Sequence, residues 1–309
     1  QEALAYFETR PEELSELGKL VFEKVKEEYA LNKNVPAERM QEYVKVLNQA
    51  HTDWLKARAA QDFGLLEETL TKVVAFQKEF IPYWQKEEKT PYDVLLNQFE
   101  PGMTVEKLDQ VFDQVKQGIQ EIRTVLAEKG TPPRTDFLSR KMTKEQQRRF
   151  VIGVVEQLGY DFSKGRLDDT VHPFMTALNR NDARITTRWE ENNFSMATFG
   201  VIHEAGHGMY EQNFDPKFDF TPLSEGASMG IHESQSLFNE IIIGSNRAFW
   251  QKQYPFFQEC AEGTFDDIAF EDFYASLKET KDPTAHTQPP PTPPTPPPHP
   301  PHPTHTPPH

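Results

Sequence analysis

His203-Glu204-Ala205-Gly206-His207 decides how the rest of this sequence is read. The flanking residues predict a helix, with Ser195 able to cap a segment from Met196 to about Asn213. At 3.6 residues per turn, histidines four apart share one face, and two imidazoles so placed can grip a single zinc ion. Glu204 is turned about 100° away from His203, off the ligand edge, yet within reach of a metal-bound water whose proton it can take. With His at 10 and acids at 48 of 309 residues, such a pattern arises by accident with a chance below about one in twenty. The plain alternative is a His pair that is merely solvated or satisfied in a core.

A catalytic zinc needs a third protein ligand and an open fourth position. The downstream carboxylates are Glu211, Asp215, Asp219, Glu225, Glu233 and Glu240. Glu211 stands on the histidine helix one turn further on, and would have to fold back about 6 Å toward the metal. A second helix, capped by Ser224 and covering Glu225 to about Ile243, is the better source. Spacing alone does not separate Glu233 from Glu225.

Outward from this motif the chain reads as helices. Apolar residues recur three or four apart from Pro11 to about Lys33, from Met40 to Leu55, and from Leu66 to an end near Pro82. The same period runs from Val105 to Leu126 before Gly130, and from Thr143, which forms a capping-box pair with Gln146, to Gly159. Helix is also expected over Asn246 to Glu259 and from about Asp266 to Glu279. The period changes after Gly165. Alternate positions around Asn179-Arg180-Asn181-Asp182 predict a two-stranded hairpin, Thr170 to Thr176 and Ala183 to Trp189.

Composition narrows the functional classes. There are 33 basic against 48 acidic side chains, a formal charge of −15, which argues against nucleic-acid and anionic-membrane partners. No apolar run approaches the roughly 20 residues of a membrane span, and Gln1-Glu2-Ala3-Leu4 lacks a signal pattern, although a lost leader stays open. The single cysteine, Cys260, excludes an intrachain disulfide and makes the cytoplasm the default location. Of the 25 prolines, 14 fall within 282–309. Residues 1–281 are thus expected to form a helical body, and 282–309, Pro/His-rich, a disordered tail.

The His203–His207 motif, followed by Met229-Gly230-Ile231-His232-Glu233-Ser234-Gln235-Ser236 and preceded by Asp182-Ala183-Arg184-Ile185-Thr186, resembles the M32 metallocarboxypeptidases, the carboxypeptidase Taq group. Tyr92-Asp93-Val94-Leu95-Leu96 and Val171-His172-Pro173-Phe174 extend the likeness across most of the body. The resemblance implies a helical, zincin-like groove architecture with the small hairpin beside the metal. It implies zinc, with Co2+ as an alternative, held by His203, His207 and Glu233, with Glu204 as general base. Asp182, Arg184 and Thr186 would support the groove, His232 would hydrogen-bond substrate or transition state, and His172 would have a lesser role there. Substrates would be peptides with a free C-terminus, and the family is commonly homodimeric.

The sequence also departs from that pattern. Family members continue through an Arg-x-x-Ala-Asp motif, whose Arg reads the substrate carboxylate, and a Gly-x-x-Gln-Asp-x-His-Trp motif; neither is in these 309 residues, and the resemblance implies that the family's first helices would stand before Gln1. The fold is therefore expected to be incomplete, with apolar faces uncovered and carboxypeptidase activity impaired. The alternative is an inactive metal-binding or interaction remnant, and a further enzyme reading is an endopeptidase.

Overall fold

Capping side chains set where most helices begin. The computed structural model describes residues 2–279; the expected disordered tail, 282–309, lies outside them. Helix α1 spans Glu2–Glu8, and α2 spans Glu16–Asn32 with the Ser15 hydroxyl accepting from Gly18 N. The long pair α3 (Ala37–Ala60) and α4 (Gly64–Trp84) packs antiparallel, and α5 covers Pro91–Phe99. Helix α6 (Val105–Lys129) starts at Thr104 and stops at Gly130. Helix α7 (Lys144–Leu158) carries the Thr143–Gln146 capping box and ends at Gly159, whose φ of 113° suits a residue without Cβ.

Several boundaries differ from the sequence expectation, each for a local reason. Helix α4 continues through Pro82 to Trp84, because Ile81 and Trp84 bury themselves beside Phe80 in the last turn. Helix α5 is additional: Thr90 and Asp93 form a capping box, and Pro91 occupies the first helical position, where its missing N–H is harmless. The expected hairpin is part of a three-stranded sheet. β2 (Met175–Asn179) and β3 (Asp182–Thr187) pair antiparallel, and β1 (Leu167–Asp169) adds in parallel on the far side of β3, giving the order β1-β3-β2. Pro173, which has no N–H, interrupts the expected strand: Thr170 still donates to the Thr187 carbonyl of β3, and the pairing resumes at Phe174, whose carbonyl accepts from Thr186 N.

Behind the sheet runs α8 (Phe194–Gln212), two residues longer at its start than expected, with Asn193 as the N-cap residue. The following helix begins at Ser228, not Ser224. The Ser228 hydroxyl accepts from Ile231 N, α9 covers Met229–Leu237, and a π-helical turn continues it over Phe238–Ile243. Helices α10 (Arg247–Cys260) and α11 (Phe270–Ser276) close the described chain, the latter shorter than its pattern suggested.

Two apolar cores result. The larger gathers Phe150, Val154, Ile185, Val201, Trp250 and Phe257 with their neighbours from α7, β3, α8, α10 and α11. The smaller joins Val35, Phe76, Phe80, Ile81, Trp84 and Val94 of the α3–α5 region. Helix α6 buries none of its side chains; Val111, Phe112, Val115, Ile119 and Ile122 are all exposed along one face, as are Phe238, Ile241 and Ile242 of the π turn. The expectation of uncovered apolar faces holds for these residues. No helix among the described residues is long and apolar enough to cross a membrane.

Candidate metal centre

Glycine at position 206 allows the two functional helices to meet. A Cβ there would lie 2.7 Å from both Gln235 O and Ser236 Cα, so α9 packs directly on the α8 backbone. On α8's other side, Gly208 admits the Tyr160 ring, where a Cβ would lie 2.7 Å from Cε2. The close crossing carries Glu233 over the histidine face of α8. Glu233 Oε2 is 3.2 Å from His207 Nε2 and 3.8 Å from His203 Nε2. Donor atoms of these three residues all lie within 4.8 Å of one another.

This donor set fits a divalent cation. With ligand bonds of about 2.0–2.1 Å, neighbouring donors around a tetrahedral ion stand roughly 3.3 Å apart, close to the distances Glu233 keeps from both rings. Each imidazole also points its other nitrogen at a protein partner, as ligating histidines do. His203 Nδ1 is 2.8 Å from Glu240 Oε2, and His207 Nδ1 is 2.6 Å from His232 Nδ1. Of the carboxylates that spacing left open, Glu233 joins the cluster; Glu225 lines the groove outside it, and Glu211 turns to His232 Nε2 at 2.9 Å.

Electrostatics separate the members of the site. Glu204 is 6 % exposed, and burial pushes its carboxyl up to about 7, against the smaller downward pull of His203. Burial likewise draws His207 down to about 4, helped by neighbouring His232 and His203, so its ring is neutral near pH 7. The Glu240 carboxylate raises His203, opposed by desolvation. A carboxyl held near neutrality beside two imidazoles that could hold a metal is suited to proton transfer in hydrolysis.

The cluster opens into a groove of about 960 Å³ whose walls include His172, Phe174 and Met229. Among the described lining residues the fixed positive charge is that of Lys24. Of the expected supporting residues, His172 is on this wall, exposed, while Asp182 and Arg184 are not. They bind each other in a two-bond pair, both bonds 2.7 Å, on the sheet. Thr186 is buried and clasps the backbone of Phe174, accepting from its N–H and donating to its carbonyl, both at 2.9 Å. His232 is at the cluster, with both ring nitrogens taken by protein atoms.

Glu240 was legible only as one of several carboxylates. Its signal is its place two helical turns beyond Glu233, on the same side of the helix. Glu211 has a similar relation to His207, one turn on.

The model of the family "Carboxypeptidase Taq (M32) metallopeptidase" matches residues 1–287. Carboxypeptidase 1 of Bacillus subtilis (strain 168) is 46% identical over 272 residues, covering 88% of this chain and 54% of that protein. Thermostable carboxypeptidase 1 of Thermus thermophilus is 33% identical over 257 residues, 81% of this chain and 50% of the relative. The crystal structure of BsuCP superposes with a TM-score of 0.86 at 45% identity, over 91% of this chain and 56% of that one. The chain thus spans about half the length of the curated relatives it matches.

Proposed function

Because the chain belongs to the carboxypeptidase Taq (M32) metallopeptidase family, we propose that it contributes the metal-binding and proton-transfer half of a zinc-dependent carboxypeptidase site. The observation that carries this reading is the convergence of His203, His207 and Glu233 beside the buried Glu204 at the base of one groove. His203 Nε2, His207 Nε2 and a Glu233 oxygen would hold the ion. Zinc, when bound, supplies a Lewis acid that polarises the scissile carbonyl and acidifies a water.

The protein's own groups supply the rest. Glu204, with its carboxyl near neutrality, takes the proton of the attacking water and returns it to the leaving amine. Glu240 holds His203 by its far nitrogen, so the near one faces the groove. The substrate is a peptide with a free C-terminus, seated along the wall that carries His172. Cys260, the single cysteine, is buried and unpaired, in keeping with a cytoplasmic setting.

A second reading has its own observation. The apolar faces of α6 and of Phe238–Ile242 lie open, which favours impaired turnover or a binding-only role for this chain standing alone. Release of the C-terminal residue from an N-blocked dipeptide, dependent on added zinc and abolished by Glu204→Gln, supports the enzyme. Stoichiometric zinc without release supports the binding role, and absence of zinc binding rejects both. A peptide blocked at its C-terminus tests the endopeptidase: only that activity would cut it.

A further inference from the structure

Helix α9, which carries Glu233, is held from two sides. On the α8 side, Gln235 and Ser236 rest on the backbone at Gly206, while Glu211 and Tyr210 meet the His232 ring. The tie from the other side is a single bond. Gly230 N donates to Glu100 Oε2 at 2.9 Å, 130 residues away in sequence, where Glu100 ends α5. Gly230 stands three residues ahead of Glu233, about 4.5 Å along the helix. Glu233 therefore lies between the Glu100 bond and the Gly206 crossing.

We propose that Glu100 is a positioning residue for Glu233: its carboxylate, held out from the α5 side of the groove, seats the first turn of α9 and fixes where the next turn stands. The consequence for metal binding rests on the site reading given above; the seating of α9 is a property of the metal-free chain.

Both ends of the bond are built for it. The first N–H groups of a helix have no partners within it; Ser228 Oγ takes that of Ile231 at 3.1 Å, and Glu100 takes that of Gly230. A negative charge is also favourable at this end of a helix, and Glu100 makes no ion pair with another described residue. Glycine is what admits the carboxylate, because a Cβ at position 230 would collide with Glu100 Oε2. On the other side, Glu100 N donates to Leu96 O at 2.8 Å and its carbonyl accepts from Met103 N at 3.0 Å. Gly102, at φ 80°, donates to Asn97 Oδ1 at 2.9 Å, and its carbonyl accepts from Lys107 Nζ, also at 2.9 Å. The carboxylate is thus presented from a braced turn, whose Phe99 and Pro101 line the groove.

Amide hydrogen exchange on the full-length, metal-free protein gives the direct test. Glu100→Ala is expected to speed exchange over residues 230–233 about 3- to 30-fold and to leave α3, α4 and α7 as in the parent. Glu100→Gln, whose side-chain oxygen still accepts, should regain most of the protection. Gly230→Ala should speed exchange in the parent, where its methyl displaces the carboxylate, and slow it in the Glu100→Ala background, where only the higher helix propensity of alanine is left. Parent-like exchange over 230–233 in Glu100→Ala, or the same effect of Gly230→Ala in both backgrounds, would overturn the seat. Cobalt(II) gives the second test, since its visible bands report coordination geometry. Glu100→Ala should alter those bands and weaken Co2+ binding about tenfold, and Glu100→Gln should restore both; bands and affinity identical to the parent's in Glu100→Ala would overturn the positioning of Glu233. If the parent itself binds no cobalt, the site reading fails, while the exchange result still decides the seat of α9.

Discussion

Replacing Gly206 by alanine should separate fold stability from metal binding. The added methyl would lie 2.7 Å from Gln235 O and Ser236 Cα, both backbone, so no side chain can turn aside. Ordinary contact requires about 3.5–4.0 Å, and α9 would have to retreat by roughly 1 Å. Overpacking of this kind costs about 1–3 kcal/mol, while alanine for glycine inside a helix returns about 1 kcal/mol. The net loss is then about 0–2 kcal/mol, a few degrees of melting temperature at most. Metal-ligand bonds tolerate only about 0.2 Å, and a retreat of α9 carries Glu233 away from the imidazoles by several times that. Zinc affinity is expected to fall about 10- to 100-fold, read by chelator competition alongside thermal melting. Gly200→Ala is the control on the same helix: its methyl would meet Thr187 Oγ1 at 3.8 Å, an ordinary contact. That variant should melt slightly higher and bind zinc as the parent does. Parent-like zinc affinity in Gly206→Ala would show that the close crossing does not set the site.

Three other outcomes are expected. Glu204→Gln should retain zinc by elemental analysis yet lose about 10²- to 10⁴-fold in any peptide hydrolysis the parent shows. Asp93 accepts from Val105 N at 2.7 Å and Thr90 N at 3.0 Å, bonds that hold its carboxyl below the usual range, the Val105 bond foremost. Stability from a depressed carboxyl is present above its unfolded pKa and disappears as pH falls through the folded one. Melting profiles of the parent and Asp93→Asn should therefore differ at pH 7 and converge in acid, and a constant gap would contradict the assignment. Finally, Phe112→Lys with Ile119→Glu on the open face of α6 should reduce light scattering without lowering the melting temperature, since both side chains are more than half exposed; a large stability loss would mean that this face is covered.

The site was legible where its logic is local. Two histidines four apart on a helix define a shared face, and Thr143 with Gln146 or Thr104 alone defines a helix start, because each depends on neighbours in sequence. Legibility ended where distant segments choose between equivalent local options. Ser224 and Ser228 both carry capping hydroxyls; the structure uses Ser228, which accepts from Ile231 N, and leaves Gly226 in the loop before it, against the His232 ring. Strand β1 has three residues and takes its register from β3, so no period announced it. Helix α5 hid behind Pro91, which reads as a breaker although it also opens helices. Glu240, the partner of His203, and Glu211, the partner of His232, were present in the pattern as surplus carboxylates, and only the crossing of α8 with α9 assigns them.

The two apolar cores have a thermodynamic consequence. No buried side chain among the described residues belongs to both, and the three side chains proposed to hold the metal stand on α8, part of the larger core, and on α9, which packs on α8. An ion bound there would stabilise the larger unit by mass action, by RT ln(1 + [L]/Kd), which keeps growing with free ion after the site is full. The smaller unit is linked across the groove by contacts such as Gly230 N to Glu100, at 2.9 Å. Its opening equilibrium is therefore nearly blind to the ion, and amide exchange in α3 and α4 should be slowed far less by zinc than exchange in α8. On that expectation the two sides of the groove open independently, and its width would vary with temperature instead of being a fixed dimension.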